Sequence, residues 1–162
     1  MAEGDLERES RRMKYTVDRR PVFAVAITNA DLEKKDELDD ELAELRIQHK
    51  ALAGEDIRDV AHTDEGDEVV MRHIPGEIDE CVDAERRKEM RADARKLMAE
   101  IRRLETRSVS LLIADEAGER FPEEALMALP YRVALKLAQE AAEYAFGLED
   151  EERPTTARSA TG

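Results

Sequence analysis

The sequence predicts a mainly α fold, a helical hairpin plus a C-terminal helix pair, with a small β element. Three observations carry that expectation. Two long segments repeat apolar residues at helical spacing. The two are opposite in charge, which suits an antiparallel pair whose charges select register. Hydrophobic residues make up 41% of the 162 residues but aromatics only 4%, with no Trp. A core of Ala, Leu and Val fits a helical assembly better than a pocketed enzyme.

Residues 1–12 are polar and lack an apolar period, so they are expected to form a flexible arm. A single mainly helical domain is expected over 13–148. Tyr15 to Val17, and Val22 to Thr28 after Pro21, are rich in β-branched and small apolar types and predict a strand or two. Thr28 or Asn29 is placed to cap the helix that follows, Asp31 to Ala53. Its Leu38, Leu42, Leu45 and Leu52 share one face, and Gly54 stops it. Asp31 and Lys35 make a favourable i,i+4 pair, while Glu37, Glu41 and Glu44 repel along an adjacent face, so this helix needs a partner.

Glu55 to Asp67 contains a loop signal, His62 to Asp67. Glu68 to Ile74 is strand-like, and Pro75-Gly76 is a turn. A second helix begins at Glu77, or at Ala84 after a break, and runs to Arg107. Met90, Ala94, Leu97, Ile101 and Leu104 give it a narrow seam of the coiled-coil kind, flanked by Arg and Lys from Arg86 to Arg103. Each exposed ion pair contributes only about 0.2–1 kcal/mol, so the seams stabilise the helix pair and the charges select its register. Val109 to Ala114 reads either as a strand or as a further turn or two of this helix. Asp115 to Gly118 is a turn, and Phe121-Pro122-Glu123-Glu124 opens a short helix. Pro130 opens the last helix, Tyr131 to Phe146. Gly147 stops it, with Leu148 positioned for the apolar contact of a Schellman motif. Residues 149–162 read as a disordered acidic tail.

The net charge is −14 and it is unevenly spread. Residues 31–80 hold 18 acidic and 6 basic side chains, whereas residues 85–107 hold 9 basic and 5 acidic. An acidic chain is the wrong sign for a nucleic-acid binder that neutralises phosphates. The longest apolar run, Pro21 to Ile27, is far shorter than the roughly 18 residues of a membrane span and lacks a cleavage site, so neither a span nor a signal peptide is expected. A single cysteine, Cys81, permits no intramolecular disulfide and fits a cytoplasmic location.

Metal and catalytic chemistry find little support. His49, His62 and His73 lack metal-ligand spacing, and no phosphate loop, nucleophile elbow or Cys–His pair occurs. Cys81 stands beside Glu80 and Asp83, which disfavour its thiolate. Glu41 with Glu44, and Glu77 with Glu80 and Asp83, are spaced as in the Mg²⁺-holding helices of all-α nucleotide pyrophosphohydrolases of the MazG kind. Acids three apart are also what any solvated acidic helix shows. No enzyme activity, cofactor or metal is expected.

One further pattern runs over residues 107–148. Val109, Leu111, Leu112 and Ile113 lead into Asp115-Glu116-Ala117-Gly118. Phe121, the acid-headed helix of Glu123 and Glu124, a Leu126-x-x-Leu129-Pro130 step and an Ala-rich helix ending Phe146-Gly147-Leu148 follow. This order resembles the tail assembly chaperones of long-tailed bacteriophages. The resemblance implies a small acidic helical protein that binds the tape measure protein and keeps it soluble, in the host cytoplasm if the chain is phage-encoded. The charged N-terminal half lies outside the resemblance. Phe121, Leu126, Leu129, Leu137, Ala141 and Tyr144 are the candidate partner-binding residues, although periodic apolar positions equally make a core. The rival readings are an acidic DNA mimic that inhibits a nucleic-acid-binding enzyme, which the −12 balance over 31–80 suits, and the Mg-dependent pyrophosphohydrolase. A homo-oligomer is compatible with all three.

Overall fold

The structure is a computed structural model and describes residues 9–147. Residues 1–8 of the expected arm, Leu148 with its Schellman contact, and the 149–162 tail lie outside the described residues. In chain order the elements are β1 (Ser10–Val17), β2 (Arg20–Val25), α1 (Asn29–Ala53), β3 (Glu55–Thr63), β4 (Gly66–Ile74), α2 (Glu77–Glu80), α3 (Ala84–Ser110), β5 (Ile113–Ala114), α4 (Glu123–Met127) and α5 (Tyr131–Phe146). Two compact units divide the chain, one formed by 1–39 with 103–162 and the other by 40–102. The boundaries fall inside α1 and α3.

In the first unit β1 and β2 form a hairpin that starts at Ser10, within the segment expected to be an arm. Its turn residues, Asp18 and Arg19, both have positive φ (51° and 62°), the sign that matches the right-handed twist of paired strands. The register shifts between Arg12 and Thr16, so Met13, Lys14 and Tyr15 oppose Val22 alone. β5 pairs antiparallel with the other edge of β2, through Phe23 with Ala114 and Ala24 with Ile113. Val109 to Ala114 is therefore both things in turn: helix to Ser110, then strand from Ile113.

β2 is the central strand, and Val22, Ala24 and Val25 are 0, 0 and 4% exposed. Around it the core gathers Met13, Val17, Leu112, Ile113, Phe121, Leu126, Leu137 and Ala141. Thr28 is the cap of α1, accepting from the Asp31 N–H at 3.1 Å.

The second unit holds Asp40–Ala53 of α1, the β3–β4 hairpin, α2, and α3 as far as Arg102. Its buried apolar residues are Leu42, Met90, Ala94 and Ile101, four of the positions on the two seams read from the sequence. The hairpin is paired antiparallel from Thr63 with Gly66 to Glu55 with Ile74. At its root two glycines meet. A Cβ on Gly54 (φ +78°) would lie 2.3 Å from the Ile74 carbonyl oxygen, and one on Gly76 2.3 Å from the Gly54 nitrogen. Only glycine permits that approach.

These strands correct the fold class. The described chain is 55% helix and 24% strand, with five strands in two antiparallel sheets, so it is not a mainly α fold with a small β element. The difference is β3, whose polar sequence was expected to contain a loop. β3 has no fully buried residue, only Glu55, Ile57 and Ala61 being half-buried on one face, so Glu55–Thr63 carries too little of the period-2 signal that marks a half-buried strand.

Candidate functional site

The Asp115 loop is tied down by three hydrogen bonds to one carboxylate. Asp115 is 8% exposed. Its Oδ1 accepts from the backbone N–H groups of Ala117 and Glu119, each at 2.9 Å, and its Oδ2 from Arg20 Nη1 at 2.6 Å. The Glu119 N–H, then that of Ala117 and the Arg20 charge, hold its carboxyl below the usual range against the opposing effect of burial. Arg20 also lies over the Phe121 ring, 4.6 Å from its centroid. The turn read as Asp115 to Gly118 is thus tied to β2 and to the core aromatic that follows it. The bonds to Asp115 fix the shape of the loop.

A second buried carboxylate lies at the start of α1. Asp31 is 4% exposed, and both of its oxygens accept from Arg120 Nη2 at 2.8 and 2.9 Å. Arg120 Nη1 donates to the Ser110 carbonyl, near the end of α3, at 3.0 Å. Lys35, expected to pair with Asp31, bonds Asp39 one turn further on at 3.1 Å.

The six candidate partner-binding residues mostly belong to the core. Phe121, Leu126, Leu137 and Ala141 are 3, 4, 1 and 0% exposed, and Leu129 and Tyr144 are half-buried against them. As drawn, that docking surface faces inward, because the most strongly periodic apolar positions of a helix are the ones its own fold covers first.

The same helix carries a second stripe. Tyr131 (68% exposed), Leu135 (56%) and Phe146 (39%) follow one another with half-buried Ala138 and Ala142 between them, at spacings of 4, 3, 4 and 4. At 100° per residue these positions share one side of α5, about a third of a turn from the buried side of Leu137 and Ala141. Sequence reasoning registered that this helix is apolar over much of its circumference without separating the two stripes. The angular positions alone would have done so.

In the second unit His73 is held between two carboxylates, Nδ1 to Asp56 Oδ1 at 2.6 Å and Nε2 to Asp79 Oδ2 at 2.7 Å. Asp79 Oδ2 also accepts from the Gly76 N–H at 2.9 Å. Asp79 first, then Asp56, raise the His73 pKa, and His73 in turn lowers that of Asp79. Glu41, Glu44, Glu77, Glu80 and Asp83 do not come together: among the described residues no group of three or more His, Cys, Asp or Glu is arranged to hold a metal ion. No helix among the described residues is long and apolar enough to cross a membrane.

The chain matches no protein-family model, no curated protein and no solved structure. Its functional reading therefore rests on its own residues.

Proposed function

We propose that the protein is a non-enzymatic binding factor that holds an apolar helical segment of a partner, the task of the phage tail assembly chaperones that residues 107–148 resemble. The supporting observation is the outer stripe of α5, Tyr131, Leu135 and Phe146, left exposed on a helix whose Leu137 and Ala141 side, about a third of a turn away, is already committed to the core. Helix capture uses apolar anchors at i, i+4 and i+7-type spacing, which this stripe offers. The net charge of −14 keeps a complex with an apolar chain dispersed.

The test is co-expression with a tape measure protein, with the partner's soluble yield as readout. The intact chain is expected to raise that yield, and Leu135→Glu and Tyr131→Glu to abolish the gain while the variants stay folded by circular dichroism. No gain from the intact chain overturns the chaperone reading. A gain that survives both substitutions overturns the stripe as the docking surface.

A further inference from the structure

The β3–β4 hairpin leaves five large apolar side chains exposed, Val60, Val69, Val70, Met71 and Ile74. All nine residues of β4 are exposed, including Val69 (51%), Val70 (41%) and Met71 (63%) at its centre. β4 has β3 as its one sheet neighbour, so its outer edge presents a row of unpaired N–H and C=O groups. A two-stranded sheet alone is marginally stable in water, and a long apolar edge is a template for another strand.

The sequence of β4 specifies which strand fits. Pair β4 antiparallel with β4 of a second copy, about a twofold axis through Val70. Glu68 then stands opposite Arg72 on both sides of the axis, Val69 opposite Met71, and Val70 opposite Val70. Directly opposed residues must share a face, so other symmetric registers differ by slips of two residues per strand. One slip opposes Glu68 to Val70 and the other opposes it to Ile74, and neither gives Arg72 an acidic partner. Arg72 is free to take a second carboxylate, since its contact with Asp59 is a loose one of 3.8 Å between exposed groups. The other edge is unsuited: the same operation on β3 sets Asp59 against Asp59 at the centre.

We infer that the protein self-associates through β4, joining two hairpins into one four-stranded antiparallel sheet with the two β4 strands at its centre. The observation that carries this is the self-complementary order Glu68-Val69-Val70-Met71-Arg72 on an uncovered edge.

The experiment is sedimentation velocity over a wide concentration range. The intact chain is expected to move from 18.4 kDa to twice that mass as concentration rises. Glu68→Arg and Arg72→Glu each turn both cross-strand pairs into like-charge pairs and are expected to weaken the dimer about tenfold or more. Mixing the two single variants restores both pairs in a heterodimer, and the Glu68→Arg/Arg72→Glu double variant restores them in a homodimer. Both are expected to recover the association. Circular dichroism checks that these exposed substitutions leave the fold intact. A chain that stays monomeric at every concentration overturns the inference, as does a dimer indifferent to either reversal. Failure of the mixture to recover association overturns the register.

Discussion

Tyr15 shows how far one contact can move the chemistry of a side chain. Its hydroxyl donates to Glu140 Oε2, and that bond, with burial and the carboxylate's charge behind it, pushes its pKa from 10.0 to about 12. The protonated form is the one the fold favours. The contact therefore contributes its full stability below the unfolded value near 10 and loses it as pH rises through the folded value. In an alkaline titration followed by tyrosinate absorbance, one of the three tyrosines is expected to ionise late, and Glu140→Gln to bring it down. The Asp31–Arg120 pair acts at the other end of the scale. Arg120→Met takes two charge-assisted bonds from a carboxylate only 4% exposed, and about 1–3 kcal/mol of stability should go with them, read from the urea midpoint. Arg120 itself is half in solvent, which keeps the expected loss below that of a fully buried pair. Neither contact was legible in the sequence. Their partners stand 125 and 89 positions apart, and nothing local marks Glu140 or Arg120 among their many charged neighbours.

At the scale of elements, legibility followed burial. α1, α3 and α5 each bury one side against their unit, so helical periodicity, the Thr28 cap and the Gly54 and Gly147 stops (φ +78° and +71°) located them to within a few residues. β3 has no fully buried residue and left little pattern to read. At its base stands the His73 clasp, which links Asp56 of β3 to Asp79 through His73 of β4. Carboxylates only accept, so bonds from both ring nitrogens require the doubly protonated imidazolium. The raised His73 pKa gives the sign: the clasp is complete below the ordinary histidine value near 6.5 and is lost as pH rises through the higher folded value. Nuclear magnetic resonance should find His73 titrating above that ordinary value, and Asp79→Asn should lower it. Amide protection factors over Glu55–Ile74 should fall across the same pH interval. Protection that stays flat through the His73 titration would show that the clasp does not hold the hairpin.

For the whole molecule, the two-unit division changes what the charge means. Along the chain the excess acid concentrates in residues 31–80, yet the unit of 40–102 holds 18 acids and 11 bases while the remainder holds 22 and 15. Each unit therefore carries −7. Seven of the nine basic side chains of 85–107 fall in the unit that holds most of the acidic block, while acidic 31–39 falls in the other, which is why a block that looks like a DNA mimic in the sequence does not mark out one acidic body. The division also governs stability. Leu137 is 1% exposed in the core of the first unit, so Leu137→Ala should cost about 2–5 kcal/mol, whereas Leu135→Ala, 56% exposed on the same helix, should cost less than about 0.5 kcal/mol. The hairpin amides have a cheaper route to solvent than global unfolding, because β4 is exposed throughout and β3 nearly so. Hydrogen exchange on Leu137→Ala should therefore quicken in β2 and α5 and leave β3 and β4 at their former rates. If the hairpin quickened by the same factor, its amides would be opening only with the core, and the two units would unfold as one.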